Sequence, residues 1–124
     1  MDTPIIKTLI LVMVLLLLLS SCYYDKYDEM LITDPNCITT NMTYTTNVKP
    51  IMTQNCTSCH SGSAPSAGIA LENYEQVKAA AQNGSLTGVI NQTSGWSPMP
   101  KNQAKLSDCS ISQIEAWIAQ GLPN

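Results

Sequence analysis

Two cysteines separated by two residues and followed at once by the only histidine of a 124-residue chain, Cys56-Thr57-Ser58-Cys59-His60, restrict its architecture more than any other feature. At this spacing both sulfurs reach one edge of a flat macrocycle, and the next side chain comes to lie under its centre. Those are the requirements of covalent haem attachment: two thioethers to the vinyl groups and an imidazole on the iron. A chain under that constraint must build a pocket, a cover and a second axial position around the pentapeptide.

Three other uses of the same thiols remain open at this point. A dithiol redox pair of Cys56 and Cys59 normally opens a helix after a strand, and no strand pattern precedes the motif. Zinc could take four thiolates, from Cys37, Cys56, Cys59 and Cys109. A disulfide between Cys56 and Cys59 would close too small a loop to constrain much, and would strain its geometry.

The first residues read as an export signal. Lys7 precedes an apolar run from Leu9 to Leu19 that is short for a bilayer span, and Asp2 weakens the charged leader. Leu19-Ser20-Ser21-Cys22 resembles the lipobox of bacterial lipoproteins, so residues 1–21 are expected to be removed and Cys22 acylated. Several acyl chains, at about 0.8 kcal/mol for each buried methylene, hold a protein stably at a membrane. Residues 22–36 carry an acidic excess and no helical or strand period, and are expected to act as a tether reaching on the order of 20 Å. An ordered flap packing its tyrosines on the domain is the competing expectation.

Residues 37–124 carry three helical patterns and no strand pattern. The first spans about Asn47 to Asn55, with Val48, Ile51 and Met52 at helical spacing and Pro50 in the first turn, where proline is tolerated. The second spans about Asn73 to Gln82, with Asn73 as cap, Tyr74, Val77 and Ala81 on one side, and Gly84 past its end. The third opens at Ser107-Asp108 with Leu106 and Ile111 at hydrophobic-staple positions. Its apolar face is Ile111, Ile114, Trp117 and Ile118, and Gly121 and Pro123 end it.

An attached haem needs a second axial ligand, and methionine is the natural candidate. Of six methionines, Met1 and Met13 fall in the export signal, Met30 in the tether and Met42 ahead of the first helix. Met52 lies too near the motif to cross the haem plane. Met99 remains, in Ser97-Pro98-Met99-Pro100, where two prolines leave little backbone freedom to lose. Gly95 and Trp96 just before it could give close approach and an apolar wall, although Trp96 could equally be core. The other ring nitrogen of His60 requires an acceptor, expected to be a carbonyl of the Ser61–Leu71 loop, with Pro65 a candidate.

With Cys22, Cys56 and Cys59 assigned, Cys37 and Cys109 are left over. Exported chains rarely keep two free thiols, so a Cys37–Cys109 disulfide is expected. Net charge is -3, and the six basic residues are scattered lysines, which argues against a nucleic-acid surface.

From about Thr43 to Gly121 the chain resembles the class I c-type cytochromes, and among them the small bacterial lipoprotein cytochromes with one attachment motif. The resemblance rests on Cys56-Thr57-Ser58-Cys59-His60 after a short helix, Met99-Pro100 about forty residues later, and Leu106-Ser107-Asp108 opening the last amphipathic helix. It implies an all-α, cytochrome c-like fold of about three to five short helices wrapped round one covalent haem c. The first and last helices would cross beside it, Ile51 and Met52 meeting Ile114, Trp117 and Ile118. Cys56 and Cys59 would hold the haem, His60 would be the proximal ligand and Met99 the distal one. Cys109 stands where the family usually has an acidic residue, and the absence of Phe leaves Tyr74, Trp96 or Trp117 for aromatic haem contacts.

The function expected from these residues is electron transfer, not enzymatic catalysis, on the periplasmic side or the cell surface. The partners would be membrane-associated redox proteins, with no small-molecule substrate, and Lys101 and Lys105 flank the proposed distal ligand. The alternatives are a haem-based ligand sensor or peroxidase-like protein, and a non-haem structural lipoprotein held by zinc or disulfides.

Overall fold

The computed structural model describes Met13 and residues 34–124. The expected export signal (1–21), the lipidated Cys22 and the tether up to residue 33 lie outside the described residues. Among the described residues, four α-helices, one π-helical turn and one 3-10 turn make up the regular structure, and there is no strand. The fold is all-α.

The π-helical turn Tyr44–Val48 runs directly into α1, Lys49–Asn55. It begins three residues earlier than the apolar spacing predicts, because Thr43 caps it: the Thr43 hydroxyl accepts the Thr46 N–H, and Asn47 Oδ1 accepts the Thr43 N–H at 2.9 Å. Tyr44 and Val48 are thereby turned into the core. Pro50 sits in the first turn of α1, where its missing N–H has no partner to lose.

Helix α2, Tyr74–Gln82, has the expected Asn73 cap, strengthened by Gln76 reaching back to form a reciprocal capping box. Gly84, at φ +78, then reverses the chain, and a further short helix, α3, follows at Ser85–Ile90. That helix is absent from the three helical patterns of the sequence. Helix α4, Asp108–Ala119, is capped by the Ser107 hydroxyl on the Ser110 N–H. It ends as a Schellman turn: Leu122 N–H reaches Trp117 O and Gly121 N–H reaches Ile118 O, both at 3.0 Å, with Gly121 at φ +89.

The core joins Val48, Ile51 and Met52 to Leu71, Val77, Ile111, Ile114 and Trp117. Ile114 and Trp117 are fully buried, each worth roughly 2–3 kcal/mol of transfer free energy. The first and last helical segments do meet, through the Tyr44–Val48 turn against α4. At that meeting Tyr44, Tyr74 and Trp117 form an aromatic triad with ring centroids 5.5–6.5 Å apart. The Trp117 indole donates to Pro123 O and the Tyr74 hydroxyl to Leu122 O, both at 2.7 Å, so the C-terminal turn is pinned to this triad.

The segment before Thr43 is strapped to α4. Gln120 accepts the Met42 N–H and donates to Thr39 O, both at 2.8 Å, and Gln113 donates to Ile38 O. Cys37 and Cys109 are joined as a disulfide, with Cα atoms 5.6 Å apart.

Candidate functional site

Helix α1 delivers the pentapeptide. Its last hydrogen bonds run from the Cys56 and Thr57 amides to Met52 O, and the chain keeps turning, with the Cys59 and His60 amides both bonding Cys56 O. Cys56, Cys59 and His60 thus sit on one tight continuation of the helix. Both cysteines are free thiols; Cys56 is half-buried against the core and Cys59 is exposed. Burial pushes the Cys56 thiol up to about 11, so it is protonated at neutral pH.

The loop after the motif folds back over the histidine. Ser66 N–H bonds Cys59 O at 2.9 Å and Leu71 N–H bonds His60 O at 2.8 Å. His60 Nδ1 lies 2.9 Å from Ile69 O. With its proton on Nδ1 the ring donates to that carbonyl, leaving the Nε2 lone pair for a metal. The acceptor is in the expected loop, but it is Ile69 and not Pro65.

Met99 is brought to the same place by different contacts. Its N–H bonds Val89 O at 3.1 Å, which ties the 91–99 loop to α3. The Met99–Pro100 peptide is cis. Cys56, Cys59, His60 and Met99 all line one cavity, whose apolar lining includes Leu71, Leu86, Val89 and Ile90. Met42 and Met52, each 1% exposed, belong to the core and do not line it.

One expectation is corrected, and one alternative falls. None of Tyr74, Trp96 and Trp117 lines the cavity. Trp117 and Tyr74 are committed to the triad beneath α4, and Trp96, 43% exposed, lies against Gly88 of α3. The aliphatic side chains of α3 take the place expected for aromatics. The four cysteines also do not converge as zinc ligands, because Cys37 and Cys109 are bonded to each other; no group of three or more His, Cys, Asp or Glu that could hold a metal ion occurs among the described residues.

The donor set suits haem c. It offers two free thiols at attachment spacing, an imidazole with one nitrogen fixed by a carbonyl, and a thioether, around a lining of aliphatic carbon. Compared with protein-family models, with curated proteins and with solved structures, the chain matches none. No helix among the described residues is long and apolar enough to cross a membrane.

Proposed function

We propose that the chain is a class I c-type cytochrome, an electron carrier whose four short helices wrap one covalently attached haem c. The observation that carries this reading is the convergence of Cys56, Cys59, His60 and Met99 on one aliphatic cavity, although the methionine is about forty residues from the motif. Cys56 and Cys59 would hold the haem, His60 Nε2 and the Met99 thioether would take the axial positions. Bound there, the haem would supply a one-electron couple without making or breaking a substrate bond.

The protein's own part is to hold ligands still and exclude water. The Ile69 carbonyl orients His60 and raises its basicity as a ligand. The bond from Met99 N–H to Val89 O, with proline on either side, keeps the thioether from wandering. Leu71, Leu86 and Ile90, all buried, keep the lining dry, and methionine ligation in such surroundings favours a comparatively high potential. Lys101 lines the cavity and Lys105 is exposed on the same segment, a basic edge for a membrane-associated redox partner. Cys22, acylated after removal of residues 1–21, would keep the carrier at the membrane on the periplasmic side or at the cell surface.

The test is a reduced-minus-oxidised absorption spectrum of protein made together with haem-attachment machinery, followed by a denaturing gel stained for haem. Cytochrome bands and haem that stays with the polypeptide are expected, with loss of covalent haem in Cys56→Ala/Cys59→Ala. Absence of bands sinks the haem reading. Bands accompanied by ready carbon monoxide binding to the ferrous protein would move the reading to a ligand sensor or peroxidase-like protein.

A further inference from the structure

Among the described residues, Trp96 is the large aromatic side chain that neither lines the cavity nor joins the core, and its contact is unusually close. A Cβ built on Gly88 would have three atoms of the Trp96 indole as its nearest neighbours, at 2.5–2.6 Å, a separation that real Cβ atoms do not tolerate. Gly88 is buried and helical, with no positive φ to explain a glycine. Its hydrogen atom is what lets the indole come this close to the backbone of α3.

The contact sits within a short set of backbone hydrogen bonds that ends at the Met99 amide. Thr93 N–H bonds Gly88 O at 3.0 Å, Trp96 N–H bonds Thr93 O at 3.1 Å, and Met99 N–H bonds Val89 O at 3.1 Å. The 91–99 loop is therefore fastened to α3 at its start and end by backbone bonds, and in its middle by the indole. Residues 92–98 are exposed, and Trp96, the largest apolar side chain among them, reaches Gly88 of α3. Without that contact, the loop is held to α3 by backbone bonds at its two ends only, from Asn91, Gln92 and Thr93 at one end and from Met99 alone at the other, and a single bond at a solvent-exposed surface opens readily.

Building on the haem reading above, we propose that Trp96 and Gly88 are positioning residues for the Met99 ligand: the indole seated on Gly88 sets the loop so that the thioether stays on the iron. Removing the seat leaves the haem attached and the proximal side intact, but raises the fraction of molecules in which Met99 has left the metal. Crowding the seat from below does the same as deleting the indole from above.

The holoprotein, with haem attached, is compared as wild type, Met99→Ala, Trp96→Ala, Trp96→Phe, Gly88→Ala and the double variant Gly88→Ala/Trp96→Ala. The readouts are the weak long-wavelength charge-transfer band of thioether-ligated ferric haem and carbon monoxide affinity of the ferrous form, with helix content by circular dichroism as the control for folding. Wild type should show the band and Met99→Ala should lack it. Trp96→Ala and Gly88→Ala should weaken the band at unchanged helix content. Carbon monoxide should bind about tenfold more tightly for each tenfold rise in the ligand-free fraction. Trp96→Phe should restore most of the band.

The double variant is the sharpest arm. With no indole to collide with, the added methyl group should have no further effect, so the double variant should match Trp96→Ala and not the sum of the single changes. Retention of the band in both Trp96→Ala and Gly88→Ala, with Met99→Ala losing it, overturns the positioning role and leaves the axial ligand standing. A wild-type holoprotein without the band overturns both.

Discussion

Tyr44 is the residue whose surroundings are least comfortable. Its ring is packed against Tyr74 and Trp117, 4% exposed, and its hydroxyl is buried without a hydrogen-bond partner. An unpaired buried hydroxyl costs on the order of 1–3 kcal/mol, so Tyr44→Phe is expected to leave stability unchanged or raise it by about 1 kcal/mol. A thermal melt of the two holoproteins checks this. Burial also holds the Tyr44 phenol above its ordinary value of 10.0. The folded protein therefore keeps a proton that the unfolded chain gives up. The associated stability is complete below pH 10 and is lost as pH climbs through the raised folded value. Tyr44→Phe should flatten that alkaline decline, and an equal decline in both proteins would show that Tyr44 does not titrate with unfolding. Cys56 would follow the same direction as a free thiol, pushed up to about 11, but as a thioether it has no proton to lose.

The helices differ in how much of them local sequence specifies. Helices α2 and α4 are written in side chains that act within one turn: Asn73 with Gln76 at one N-terminus, and Ser107, Asp108 and the Leu106–Ile111 pair at the other. Asn73→Ala should cost about 1 kcal/mol in chemical denaturation, since it orphans the Gln76 amide and dissolves the capping box. Those two helices, Met99 and the attachment motif were legible because each depends on neighbours in the chain. Helix α3 was not. Ser85-Leu86-Thr87-Gly88-Val89-Ile90 is short and contains glycine, threonine and valine, all weak helix formers, directly after a glycine that ends α2. Leu86, Val89 and Ile90 lie three and four apart, too short a pattern to stand out, and burial along the cavity decides the matter in their favour. The same tertiary origin explains the aromatic contacts. Whether a tryptophan lines a cavity, fills a core or lies on a glycine is set by the paths of segments far apart in sequence, which local pattern does not encode. Ile69 as the His60 acceptor belongs to that class too, fixed by a loop that returns through the Leu71-to-His60 bond.

At the scale of the whole molecule, the fewer than 90 residues from Cys37 onward have to be held together with a modest core. Two cross-links address this from opposite ends: haem attachment would supply apolar bulk at the centre, and the Cys37–Cys109 disulfide ties the N-terminal segment to the first turn of α4. The disulfide closes a sequence separation of 72 residues, for which loop-closure entropy gives a stabilisation of roughly 4 kcal/mol. The strapping bonds from Gln113 and Gln120 to residues 38–42 do not run through the disulfide, so the segment should keep part of its order after reduction. On the haem reading, Cys37→Ser/Cys109→Ser holoprotein should therefore fold with its haem spectrum intact but unfold at markedly lower denaturant, the midpoint falling and the slope rising, because the unlinked unfolded chain exposes more surface. The apoprotein, made without haem attachment, should lack a cooperative transition comparable to the holoprotein even with the disulfide formed, because the cavity among α1, α3 and the Met99 loop would then have no apolar filling. A comparable transition in the apoprotein would mean that the aliphatic residues around the cavity close into a core by themselves, and that haem is a guest in this fold and not its centre.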